Sequence, residues 1–251
     1  MIYIKSDLKR AFQIKRVCAG GLGVTFSMFF SIYRMTDVTS VYRAYVDAIY
    51  FIPFMLSMTF CSIPFSGSVN EDVEHKFLNM LLLRGDIIKY VVSKVIVMYI
   101  SAIVTMMAGV FIFVILIHCK VPWEEVMVTE DAMLNILGGS THGVVYFITH
   151  SVFMGLLAAN LSIISSVFSL FWSNKLLQIS MPFLLYYLLI YYSVELFPKL
   201  PQLNIQFMFN PSYNTWNNEK MSCLFPLIFS GFVAIVMGIC MYKQLRRKDG
   251  E

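Results

Sequence analysis

The sequence predicts an all-α integral membrane protein with six transmembrane helices, an N-terminal interfacial helix, a charged helical segment on the cytoplasmic side and an outer re-entrant segment before the last span. Three observations predict it. With 58% hydrophobic and 14% charged residues over 251 positions, and a mean hydropathy of +0.71, the chain is far too apolar for a soluble domain of its size. Its apolar blocks, about 17–33, 44–65, 90–118, 144–172, 176–194 and 223–242, are long enough to cross the hydrocarbon of a bilayer. Fourteen Lys and Arg residues fall on the side of both termini and five on the other, which places both termini in the cytoplasm. That asymmetry accounts for the net charge of +4 without any nucleic-acid partner.

Residues 1–16 place Ile4, Leu8, Ala11 and Phe12 on one helical face and Lys5, Lys9 and Arg10 around the other, the pattern of an amphipathic helix lying on an anionic leaflet. No cleavable signal peptide is evident, because the start is polar and basic. The six-span domain follows over 17–251. Span one carries Gly20, Gly21 and Gly23, which allow close helix approach. Span two contains Pro53, which kinks a helix, and ends at Pro64. Spans three and four are longer than a bilayer needs and so tilt or project. The turn Ser173-Asn174-Lys175 returns the chain into span five. Residues 195–220 combine Pro198, Pro201 and Pro211 with Leu203, Ile205, Phe207, Met208 and Phe209, which suggests the re-entrant element. Span six runs into Lys243, Arg246, Arg247 and Lys248.

The segment 66–89 is the longest charged interval between apolar blocks. Ser68 and Glu71 have the spacing of a capping box. Val73, Phe77, Met80 and Leu81 then form one side of a short helix, with Asp72, His75, Lys76 and Asn79 on the other. Glu71, Asp72 and Glu74 lie near its positive end. An apolar ridge flanked by charge suits a partner's groove or a membrane surface.

Chemical motifs are few. No GxxxxGK[ST] phosphate loop and no HExxH occur, and His75, His118, His142 and His150 lack acidic neighbours at ligand spacing, so no metal site is expected. Ser140 with His142 or His150 could be drawn as a nucleophile and base, but Ser140 sits in a loop beside two glycines and reads more simply as a turn. Glu124 and Glu125 read as solvated loop acids. No catalytic site is expected in this chain, although an intramembrane enzyme stays open. The five cysteines show no paired spacing; Cys119 and Cys223 could meet near outer span ends, and isolated thiols are the commoner outcome. The span centres carry no charge, which argues against an ion pump or proton-coupled carrier. Tyr191 and Tyr192 suit an interface belt, whereas Tyr186 and Tyr187 suit a cavity or a helix contact. Phe51, Phe54, Met55, Met58 and Phe60 suit packing or an adaptable apolar site.

The order of these elements resembles permease subunits of type-2 ATP-binding-cassette (ABC) exporters over nearly the whole chain. In the charged segment Glu74, Leu81, Leu82 and Lys94 follow the family's order of a glutamate, a leucine pair and a lysine at the start of span three. Lys76-Phe77 stands where the family has Gly-Thr, and Gly85 where it has proline. Asn210-Pro211 before span six is a further similarity. The resemblance implies that 66–89 is a coupling helix docking a separate ATPase, through Glu71, Asp72, Glu74, His75, Lys76 and Phe77, with Ser173, Asn174 and Lys175 as a second contact. It implies two ATPases, which hold ATP and Mg, and a second permease copy or a related permease, in a bacterial plasma membrane. It also implies that spans two and five line the pathway, with Phe51, Met55, Met58, Tyr187 and Tyr191. Small permeases of this kind resemble exporters of bacteriocins, lantibiotics or phenol-soluble modulins, so an amphipathic peptide is the first expectation, with drugs or lipids next. The alternative is a membrane sensor or assembly factor that recruits another partner through 66–89.

Overall fold

The structure, a computed structural model, describes residues 2–33, 39–74, 86–123, 143–172, 175–196, 200–213, 216 and 218–249. All regular structure among them is helical: α1 (Ile2–Ala11), α2 (Ile14–Ile32), α3 (Val41–Tyr50), α4 (Met55–Ser62), α5 (Ser68–Glu74), α6 (Ile87–His118), α7 (Gly143–Phe171), α8 (Lys175–Leu196), α9 (Ile205–Met208) and α10 (Glu219–Asp249), with 3₁₀ turns at Ile52–Phe54 and Pro201–Leu203. Four of the described helices, α6, α7, α8 and α10, are long and apolar enough to cross a membrane, and five crossings result if α3 and α4 form one broken span. The chain is therefore a multi-pass helical membrane protein by length and composition. The 19-residue α2 is not among the four; Lys15 and Arg16 in its first turn dilute its apolar run.

α7 is the central helix. In its most apolar stretch 83% of residues are buried, against 17% in α8 and 22% in α10, so α8 and α10 lie at the outside of the bundle. Small residues make this centrality possible. Gly155, Ala158, Ala159, Ser162, Ser165, Ser166 and Ser169 are all buried along α7, and a Cβ at Gly155 would stand 2.7 Å from the backbone of Ile103 on α6. Without a hydrophobic drive between helices in lipid, such close backbone approach is what holds neighbours together. α6 packs along α7, and α2 packs against both α6 and α4. The expectation for the span-one glycines holds: Gly20, Gly21 and Gly23 are buried, and a Cβ at Gly23 would meet the Phe60 ring on α4.

Two sequence expectations need correction. Residues 44–65 do not form one kinked helix. α3 ends at Tyr50, Phe51 is extended, and the axis turns by 79° before α4. Pro53 explains the break: it has no N–H to give the carbonyl four residues back, and its ring crowds the preceding turn. The capping box at Ser68 does not form either. α5 runs directly on from the preceding turn, its first amides bonding to the carbonyls of Phe65 and Gly67, while the Ser68 hydroxyl is buried without a hydrogen-bond partner and Glu71 is drawn away by arginine.

The segment before α10 is partly buried, as its apolar residues suggested. Ile205 and Met208 of α9, with Phe209 and Asn210 after it, pack inward. Asn204 caps α9 by accepting from the Gln206 amide, and Asn210 Nδ2 donates to the Tyr50 hydroxyl at 3.1 Å. No disulfide joins any of the five cysteines, Cys119 and Cys223 included.

Candidate functional site

The charged segment is held where it enters and leaves the bundle by a buried ion cluster that joins α1, α5 and α6. Its centre is Lys94, in the second turn of α6 and 1% exposed. Its ammonium lies 2.9 Å from Asp7 Oδ1 and 2.8 Å from Asp72 Oδ2, above the faces of the Phe65 and Tyr90 rings. The remaining carboxylate oxygens are also satisfied. Ser93 donates to Asp7 Oδ2 at 2.7 Å, Tyr90 donates to Asp72 Oδ2 at 2.8 Å, and Arg10 donates to Asp72 Oδ1 at 2.6 Å and to Glu71 Oε2 at 2.5 Å. Arg16 stands 3.6 Å from Glu71. Three carboxylates thus face three cations, and this balance is the condition under which buried charge is tolerated.

Local sequence explains the convergence. Asp7 and Arg10 are three residues apart on α1 and Tyr90 and Lys94 are four apart on α6, so each of these pairs shares one helix face, and Glu71 and Asp72 are neighbours in the middle of α5. Ile4 and Leu8 lie against the same apolar cluster as Val69, Val91 and Met241. α1 therefore packs on α6 through its apolar face while Lys5 and Lys9 stay exposed. Arg10, expected on the outer face, turns inward to the acids.

Burial and the surrounding cations act on Asp72 in opposite directions. Burial would raise its carboxyl, but the Lys94 charge and hydrogen bonds from Lys94, Arg10 and Tyr90 outweigh burial and hold it below the usual carboxylate range. Burial would likewise lower the Arg10 guanidinium, and its bonds to Asp72 and Glu71 raise it instead. A depressed carboxylate contributes stability above the unfolded value, about pH 4, and loses it as pH falls through the folded value. Thermal midpoints in detergent between about pH 6 and pH 3 should fall for the wild type and fall less for Asp72→Asn.

A second, uncharged network holds the same segment from the other side. The Ser66 carbonyl accepts from Gln178 Nε2 on α8 at 2.6 Å and from Ser166 Oγ on α7 at 3.0 Å. Asn70 Nδ2 donates to Gln178 Oε1 at 3.2 Å, and Ser165 donates to the Gln178 carbonyl at 2.6 Å. All four side chains are buried. α5 is therefore fastened to α1 and α6 on one flank and to α7 and α8 on the other.

The expected contact residues divide accordingly. Asp72, expected to face outward, is 6% exposed and fully engaged within the chain; the salt cluster that buries it could not be read from helix spacing alone. Glu71 is half-buried against Arg10 and Arg16, and Glu74 is exposed at the end of α5. His75, Lys76, Phe77, Ser173 and Asn174 lie outside the described residues, and Lys175 opens α8.

The expected pathway residues lie in different environments. Met58 is fully buried in the main core with Tyr186, so both are helix contacts. Met55 is half-buried beside them. Phe51 is 43% exposed at the α3–α4 break. Tyr187 and Tyr191 stack on the outer face of α8, each nearly half exposed. α4 and α8 do pack together, so spans two and five are neighbours.

Asp7, Tyr90, Ser93, Asn70 and Gln178 were not singled out from sequence. A lone acid in a basic helix and a lone amide in an apolar run were the available signals. No family model, curated protein or solved structure matches the chain.

Proposed function

We propose that the chain is the permease subunit of an ATP-driven ABC exporter in a bacterial plasma membrane, with six crossings, both termini cytoplasmic and residues 66–89 docking a separate ATPase. In this reading α2 and the broken α3–α4 pair supply the first two crossings. The observation that carries it is the two-sided fastening of α5. A partner pushing on a loop moves the membrane helices only if the loop is rigidly tied to them. Here Asp72 ties it to α1 and α6, and Ser66 and Asn70 tie it to α7 and α8. ATP-driven closure of two ATPases would thus be passed to helices on both flanks, switching a dimer of permeases between inward and outward states. The exposed Glu74, with His75, Lys76 and Phe77, offers the contact surface, and Ser173, Asn174 and Lys175 a second one. The uncharged span centres suit an amphipathic peptide as cargo, with Phe51, Met55, Met58, Tyr187 and Tyr191 along its route.

Co-purification of an ABC ATPase with the tagged chain tests the reading. The wild type should bring it down, and Glu74→Arg combined with Phe77→Ala should not. If neither recovers an ATPase while the chain remains folded, the segment serves a sensor or assembly factor instead.

A further inference from the structure

A groove of about 460 Å³ runs between α6 and α10. Its floor is apolar, formed by Val91 and Val95 on α6 and by Ile235, Gly238 and Tyr242 on α10. Gly238 makes the trench. A Cβ there would reach only ordinary contact, 3.8 Å from Val95 and 3.9 Å from Val91, so the missing side chain leaves open space between the two helices. The helices run antiparallel, with Ile88 level with Tyr242 and Ile96 level with Ala234, which gives the trench a length of about 12 Å. One turn beyond Ile96 and Ala234, Tyr99 donates to Asn160 Oδ1 at 2.5 Å and Asn160 donates to Ser230 at 3.0 Å, which ties α6, α7 and α10 together there.

The open end is basic. Arg246 follows Tyr242 by four residues and lies on the same helical stripe as Ile235 and Ile239. Lys243 is beside it, both are exposed, and neither forms an ion pair among the described residues. Lys89, across the mouth on α6, is 72% exposed and reaches only the exposed Asp86, at 4.0 Å. An apolar trench with a cationic rim at the helix ends is complementary to an apolar chain that carries an anionic head. We propose that the α6–α10 trench binds one anionic phospholipid from the leaflet facing these helix ends, its acyl chain along Gly238 and its phosphate at Arg246 and Lys243. The trench is independent of the ATPase-docking reading.

Native mass spectrometry of the full chain in detergent, titrated with phosphatidylglycerol or with phosphatidylcholine of matched acyl chains, tests this. The wild type should retain one phosphatidylglycerol in preference to phosphatidylcholine. Gly238→Phe should lose that lipid, and Gly231→Phe, at a glycine with open space around it, should keep it. Arg246→Gln and Lys243→Gln should each lower the preference for phosphatidylglycerol about fivefold while leaving phosphatidylcholine binding unchanged, a readout that survives if Gly238→Phe fails to fold. Equal retention of the two lipids by the wild type would overturn the proposal, as would undiminished retention by Gly238→Phe. Loss of a dimer in place of a lipid in that variant would assign the trench to a second copy and overturn it too.

Discussion

Replacing Lys94 with methionine is expected to destabilise the chain by about 3–5 kcal/mol, because it leaves Asp7 and Asp72 buried with one cation fewer. Methionine matches the lysine stem and keeps the contact with Phe65, so the loss reports charge and not volume. The thermal midpoint in detergent should fall by about 10 °C or more. Lys94→Met combined with Asp7→Asn removes one negative charge along with the positive one, and it should recover part of the loss. The two single substitutions and the double then form a cycle in which a non-additive result measures the pair. Lys94→Arg is no neutral control, since a planar guanidinium cannot occupy the compact site between two carboxylates and two rings in the same way. A fall no larger than that of an exposed lysine such as Lys89 would remove the ion cluster from the account.

Gly109→Leu should be comparably damaging for a steric reason. A Cβ at Gly109 on α6 would stand 2.5 Å from Val24 Cβ and 2.9 Å from the Gly21 carbonyl on α2. Thr25 also donates to the Gly109 carbonyl at 2.9 Å, so the two helices are hydrogen-bonded where they touch. Relief requires α2 to move away as a body, which also separates Gly20 from Thr105 and breaks the Thr25 bond. Overpacking of this kind costs about 3 kcal/mol. Gly231→Leu on α10, where a Cβ meets nothing within 4 Å, should be close to neutral. Adding Val24→Ala to Gly109→Ala removes the Cγ1 contact at 2.6 Å and should recover part of the loss, leaving the part due to the Val24 Cβ and the Gly21 carbonyl. Thermal unfolding of the three variants separates these contributions.

Much of the architecture was legible because membrane spans are written in composition and length. The spans at 90–118 and 144–172 correspond to α6 and α7 within a few residues, and the glycines of span one were read correctly as an approach surface. The break at Pro53 was under-read. Proline in a span signals a kink, but a 79° turn depends on what the following turn packs against, here Phe54 and Met58 in the core. The ion cluster was the least legible. Lys94 stood out by family resemblance, but its partners come from α1 and α5, 87 and 22 residues earlier, and no local period links them. Helical spacing put Asp72 on the outer side because that pattern ranks polar residues as exposed. Only the tertiary supply of two cations reverses it. Gln178 and Asn70 escaped notice for the same reason, since a single amide in an apolar run gives no hint of the carbonyl it will reach.

The measurement that tests the central proposal most directly is site-specific photo-crosslinking from position 74 in intact cells, with the cross-linked product identified by mass spectrometry. Glu74 is exposed at the end of α5, immediately beyond the residues fastened to the bundle. Cross-linking to an ABC ATPase, lost when the probe is moved to the exposed Phe26 on α2, is the result predicted. Cross-linking to lipid alone, or to a protein without a nucleotide-binding domain, would contradict the exporter reading.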